Sequence, residues 1–179
     1  LVATHWVWSY GCFMKRRILI ALSTSRYSKK LIATALEEAQ KWCTGGDEVI
    51  VDVLYIIEVE ELKQISDRVG NEAFLGTTMQ QELLEALGQE HHRMALRRIE
   101  ELNTQAKSLG CAVEVTESEG AFSQKVIEHA DGRNCDVIYM TRDDRPFISR
   151  FLFGSQVDRI ARLARKEGLG RVVIGDHEE

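Results

Sequence analysis

Five short apolar runs alternate with stretches of helical periodicity, and this alternation constrains the chain more than any single motif. "RILIAL" (17–22) has strand length and apolar residues on both faces, as a strand covered by helices on both sides requires. "VIVDVLYIIEV" (49–59), "CAVEVTES" (111–118), "CDVIYM" (135–140) and "GRVVIG" (170–175) are the other four runs. After the first run comes the hydroxyl-rich turn "STSRYS", with Ser25 or Ser28 as a helix N-cap. Leu31, Ile32, Ala35, Leu36, Ala39 and Trp42 then recur at helical spacing, and Gly45 or Gly46 closes that helix. A long helix over 81–109 carries Leu84, Leu87, His91, Ala95, Ile99, Leu102, Ala106 and Leu109 on one face, and Gly110 ends it. Residues 121–134 hold a short helix and 155–165 the last one, while 60–80 read as a polar connection, helical in part.

The order β-α-β-α-β-α-β-α-β predicts an α/β fold: an open, mostly parallel five-stranded sheet with helices on both faces. The only proline, Pro146, lies outside every predicted element, and nothing reads as a linker or a repeat. The expectation is one domain over 14–176 with a short tail at 177–179. Residues 1–13, "LVATHWVWSYGCF", contain four aromatic side chains and no Lys, Arg, Asp or Glu, and precede Met14-Lys15-Arg16-Arg17. In a secretory signal the basic residues come before the apolar run, not after it. The segment reads as an upstream extension outside the fold; the rival reading is an arm that docks on a partner subunit.

With 179 residues, 44% of them hydrophobic and 28% charged, the chain can bury a proper core. A net charge of -5 argues against a broad nucleic-acid surface. No run of eighteen apolar residues occurs, so no membrane span is expected. Cys12, Cys43, Cys111 and Cys135 are scattered without a C-x-x-C, which points to reduced thiols in a cytoplasmic setting rather than zinc or a disulfide framework.

In sheets of this kind, ligands bind beyond the carboxyl ends of the strands, where strand order reverses. If strands one and four are neighbours, Ser23-Thr24-Ser25 meets "MTRDDRPFISRFLFGSQV" (140–157) there. Other motifs are weaker. His91 and His92 project about 100° apart on one helix and cannot chelate one ion from a single face. His91 reads as a core histidine, His129 as a surface residue near a helix end, and the charged run 58–68 as a solvated face. No G-x-S-x-G, H-E-x-x-H or G-x-x-x-x-G-K-[S/T] appears.

From residue 16 to 176 the chain resembles the universal stress protein family. "ILIALSTSRYSKKLIATAL" is similar to that family's opening strand and helix, often written ILVAVDGSxxSxxAL, and "VLYII" to the end of its second strand. "VTESEGAFSQKVIEHADGRNCDVIYMT" resembles its third strand, next helix and fourth strand, without the proline of the family's Gly-x-Pro. The nucleotide-binding branch carries G-x(2)-G-x(9)-G-[S/T]. Its spacing falls here on Thr141, Asp144, Gly154 and Ser155, so both leading glycines are replaced. The branch's strand-one aspartate falls at Ser23, and Ile56 matches a position lining the adenine pocket.

The departures have physical weight. Glycine lets a backbone approach phosphate oxygens and take positive φ, and Thr141 has a β-branched side chain instead. A carboxylate about 4 Å from a phosphate costs roughly 4 kcal/mol at an effective dielectric near 20, roughly a thousandfold in affinity. Arg142 and Arg145 either offset Asp144 at the phosphates or neutralise Asp143 and Asp144 within the loop. Ser23, Thr24 and Ser25 either donate to an anion or cap the next helix. A helix starting at Gly154-Ser155 still offers free N–H groups to an anion.

The resemblance therefore implies a non-enzymatic stress or regulatory protein with no cofactor and no tight ATP binding. The alternative is an ATP- or AMP-binding member with at most slow hydrolysis, using Gly154, Ser155 and Arg142 or Arg145. An enzyme on a similar fold is disfavoured: an ATP pyrophosphatase would need S-G-G-x-D-S after strand one, and a phospho-acceptor receiver would need acidic residues there. The apolar terminal run reads as a sheet edge, and the resemblance implies a homodimer through it, by Val172, Val173 and Ile174.

Overall fold

The first strand shows how local sequence sets the architecture. Ile18, Leu19, Ile20, Ala21 and Leu22 are all buried, because the sheet is covered on both faces. The computed structural model describes residues 14–72, 76–143 and 156–176. In chain order these form β1 (Lys15–Leu22), α1 (Lys29–Thr44), β2 (Glu48–Ile57), α2 (Val59–Glu72), α3 (Thr77–Ser108), β3 (Ala112–Glu119), α4 (Phe122–Arg133), β4 (Val137–Thr141), α5 (Gln156–Glu167) and β5 (Arg171–Gly175). The strand order is β3-β2-β1-β4-β5, with every pairing parallel, where a mostly parallel sheet was expected. β1 lies between β2 and β4, with Leu22 opposite Tyr55 and Ala21 opposite Met140. Strand order reverses between β1 and β4, which is where the topology argument predicts a ligand crevice.

Two cores lie on the two faces. Ile18, Ile20 and Leu22 pack with Leu31, Ile32 and Leu36 of α1 and Ala95, Leu102 and Ala106 of α3. Leu19 and Ala21 pack with Phe122, Val126 and Ala130 of α4 and Val157, Ile160 and Ala164 of α5. Truncating a fully buried strand residue such as Ile20 to alanine costs about 2–5 kcal/mol. Ser28 is the N-cap of α1, accepting a hydrogen bond from the Leu31 N–H at 3.2 Å, and Gly46 takes the left-handed turn after the helix with φ 97°. Gly170 aims the last strand: its φ is 105°, and a Cβ there would lie 2.2 Å from the Cys135 carbonyl oxygen.

Two expectations change. The polar stretch after β2 is the helix α2, which buries Leu62 and Ser66, so the run 58–68 is not wholly a solvated face. Polar periodicity hid it because the helix buries only a narrow stripe. His129 is not a surface residue. Its side chain is 10% exposed, and its Nε2 lies 3.0 Å from Oδ1 of Asp52, a fully buried carboxylate within β2. Arg17 donates to the other Asp52 oxygen at 3.0 Å and to Glu114 at 2.7 Å, and Arg133 also pairs with Glu114. Burial pushes the Asp52 carboxyl up, but His129, Arg133 and Arg17 together outweigh it, and the net shift is downward.

Candidate functional site

The crevice is built by residues that leave the carboxyl ends of β1, β2 and β4. After β1 the backbone turns tightly: the Ser23 N–H donates to the Arg26 carbonyl at 3.2 Å, and the Arg26 N–H donates back at 3.3 Å. This turn sends the Arg26 side chain across the gap between β1 and β4, where it is 2% exposed. Its Nε donates to Glu58 Oε1 at 3.3 Å, just beyond β2. Its Nη2 lies 3.3 Å from Asp143 Oδ2, just beyond β4, and 3.2 Å from Oε1 of Gln156, the first residue of α5. The guanidinium sits 4.5 Å from the centroid of Phe122, the first residue of α4. One arginine thus ties together two strand ends and two helix starts.

The hydroxyls of the first turn are also engaged within the protein. Ser23 Oγ donates to Glu58 Oε1 at 2.9 Å. Thr24 Oγ1 lies 3.0 Å from His91 Nδ1 and 3.2 Å from the Tyr55 hydroxyl. Ser25 Oγ donates to Glu61 Oε2 at 3.2 Å. Arg98 of α3 donates to the carbonyls of Ser23 and Thr24 at 3.1 and 3.2 Å and stacks 4.0 Å from the Tyr27 ring centroid. Burial pulls the His91 imidazole down; Glu90 opposes this and Arg98 adds to it. Burial raises the Tyr27 phenol, with the Glu101 charge in the same direction and Arg98 against it.

The remaining candidates separate. Thr141 is fully buried at the end of β4, and its Oγ1 has no hydrogen-bond partner among the described residues. Arg142 points to α5 and the end of the chain, with Asp158 at 3.0 Å and Asp176 at 3.8 Å. Ile56 is a core residue packed with Leu54, Phe122 and Met140. Asp144, Arg145, Gly154 and Ser155 lie outside the described residues. Val172 and Ile174 pack on the α4/α5 face of edge strand β5, and Val173 on the other face.

Sequence reading missed Arg26 and Glu58. Glu58 directly follows β2 and Arg26 lies four residues after β1, so both leave the carboxyl end of the sheet on the side where the order reverses; that general position, and no local motif, was the available signal. Among Arg26, Glu58 and Asp143 the formal charges sum to one negative, which disfavours a phosphate at this point. A separate groove of about 290 Å³, lined by Tyr27, Lys29, Met94, Arg97, Arg98 and Glu101, opens between the start of α1 and α3. Among the described residues no group of three or more His, Cys, Asp or Glu could hold a metal ion, and no helix is long and apolar enough to cross a membrane.

The sequence profile of the universal stress protein family matches residues 14–167, which covers β1 through α5. The chain belongs to the universal stress protein family. No curated protein matches it in sequence. Solved structures share the fold of this universal stress protein domain. Hypothetical protein MJ0577, solved as a test case of structural genomics, superposes with a TM-score of 0.61 at 16% identity, over 93% of this chain and 99% of that one. Universal stress protein UspA from Lactobacillus plantarum gives 0.56 at 15% identity, over 90% and 97%. A universal stress protein solved in complex with cAMP gives 0.53 at 16% identity, over 91% and 98%. At such identities the likeness concerns the fold; function is argued from the site.

Proposed function

We propose that this universal stress protein is a non-enzymatic regulatory or stress-response homodimer that needs no cofactor and binds neither ATP nor AMP tightly. The observation that carries the reading is Arg26, buried across the crevice and paired with Glu58 and Asp143. A nucleotide phosphate here would have to displace those carboxylates or accept their repulsion, and a buried pair broken on one side is strongly destabilising. Ser23 supports the same reading, since its hydroxyl is committed to Glu58 at the position where the binding branch has aspartate. Dimerisation through β5 is supported by its place at the sheet edge and its apolar side chains. The cysteines of the described residues are free thiols, in keeping with a cytoplasmic setting.

The rival reading, an ATP- or AMP-binding protein, draws on a relative solved with cAMP and would use Gly154, Ser155 and Arg142 or Arg145. Against it, the Arg142 side chain is directed to Asp158. A thermal-shift series with ATP, ADP and AMP tests the proposal: no shift is expected below millimolar nucleotide, and a shift at micromolar nucleotide would overturn it. Asp144→Gly is expected to bind better than the parent in the same series; equal binding would show that loop charge does not control affinity.

A further inference from the structure

The fold brings together two cysteines that sequence spacing keeps apart. Cys43 in the last turn of α1 and Cys111 at the entry to β3 are 68 residues apart, yet their sulfurs lie 3.4 Å from each other. That is about 1.4 Å longer than a disulfide bond. Both are free thiols; Cys43 is half-buried and Cys111 is 5% exposed. Cys135 is buried in the core on the other face of the sheet.

We propose that Cys43 and Cys111 form a reversible intramolecular disulfide when the protein meets a peroxide. The Cys43 thiolate, the more accessible sulfur, attacks one peroxide oxygen; the O–O bond breaks, and the departing hydroxide takes a proton and leaves as water. Cys43 is then a sulfenic acid. The Cys111 sulfur attacks the Cys43 sulfur, the S–O bond breaks, and the leaving hydroxide takes the Cys111 proton as a second water. Two electrons from the two thiols reduce one peroxide to two waters. Burial holds the Cys111 thiol at about 12, with its hydrogen bond to Cys43 and the Cys43 charge raising it as well. The raised value makes Cys111 the poorer partner for the oxidant; what fits it to resolve the sulfenic acid is its position, 3.4 Å from the Cys43 sulfur.

The bond would tie the end of α1 to the start of β3, closing a loop that contains β2, α2 and α3. Ala112 pairs with Ile50 near the start of β2, so the bond forms at the opposite end of the sheet from Arg26. It acts on stability and leaves the crevice unchanged. A long closed loop restricts the unfolded chain, and the expected gain in Tm is about 5–10 °C.

The test treats the full chain with hydrogen peroxide, then applies intact-mass measurement, peptide mapping and thermal unfolding. The expected product has lost two hydrogen atoms, yields a Cys43–Cys111 cross-linked peptide, melts higher than the reduced protein and reverts with dithiothreitol. Cys43→Ser is expected to lose both the cross-link and the Tm gain. A sulfinic acid at Cys43 in the parent protein, or a cross-link through Cys12 or Cys135 instead, would overturn the proposal. The peptide map of the parent decides this even if a cysteine variant folds poorly.

Discussion

Arg26 and Asp143 come from the ends of two neighbouring strands and meet 3.3 Å apart, with the arginine 2% and the aspartate 8% exposed at the side chain. Glu58 completes the set from the third strand end at 3.3 Å. The crevice of this universal stress protein is thus bridged by its own ion pairs.

Removing the shared cation is expected to leave two carboxylates poorly solvated and close together. Arg26→Ala should lower stability by about 3–5 kcal/mol, the range for breaking a buried ion pair on one side. Urea unfolding measures this; a loss under about 1 kcal/mol, typical of a surface pair, would mean that the network is not holding the strand ends.

Thr141 gives a prediction of opposite sign. Its buried Oγ1 has no partner among the described residues, so replacing it with a methyl of similar shape removes an unsatisfied group. Thr141→Val is expected to be neutral or to stabilise by up to about 1 kcal/mol in the same urea measurement. A clear destabilisation would show that the hydroxyl is bonded in solution.

Asp52 links folding to acid. Its folded carboxyl lies below its ordinary value, so its contribution is present above the unfolded value near 4 and is lost as pH falls through the folded value. Asp52→Asn should be less stable than the parent at neutral pH and should flatten the stability profile below about pH 4. Unfolding curves across that range give the answer, and parallel profiles would refute the assignment.

His91 acts in a higher window. Burial lowers its folded value, so the unfolded chain takes up more protons as pH falls below about 6.5, and stability declines with it. The decline ends once the folded imidazole is protonated too. An NMR titration should place the His91 midpoint below that of an unfolded chain, and His91→Gln should reduce the loss between neutral and mildly acid pH. A midpoint at or above about 6.5 would contradict the burial argument.

Edge strand β5 offers a test of the proposed dimer. The Arg171 N–H donates to the Asp136 carbonyl next to β4, and the Gly175 carbonyl accepts from Arg142, so the odd-numbered residues face β4. The Val172 and Ile174 backbone groups point to the open edge. Proline at an edge position whose N–H faces outward leaves the inner ladder intact. Light scattering at micromolar concentration should show a dimer for the parent and a monomer for Val172→Pro; a monomeric parent would refute dimerisation through this strand.

Five strands and most helices were legible because buried parallel strands are written as apolar runs and their covering helices as periodic stripes. α2 was less legible because it buries few residues, Leu62, Ser66 and Gly70. Asp52 did carry a signal: a carboxylate inside a strand covered on both faces requires a cation, and α4 supplies His129 and Arg133. Nothing local marks Arg26 as buried, since its partners lie 32 and 117 residues away. Cys43 and Cys111 were invisible for the same reason, because spacing rules read only neighbours.

The central claim, that the chain's own charges bridge the crevice at the carboxyl ends of β1, β2 and β4, is tested most directly by equilibrium dialysis of the protein against radiolabelled ATP. The account predicts no saturable binding below millimolar concentration. Saturable binding with a micromolar Kd would contradict it.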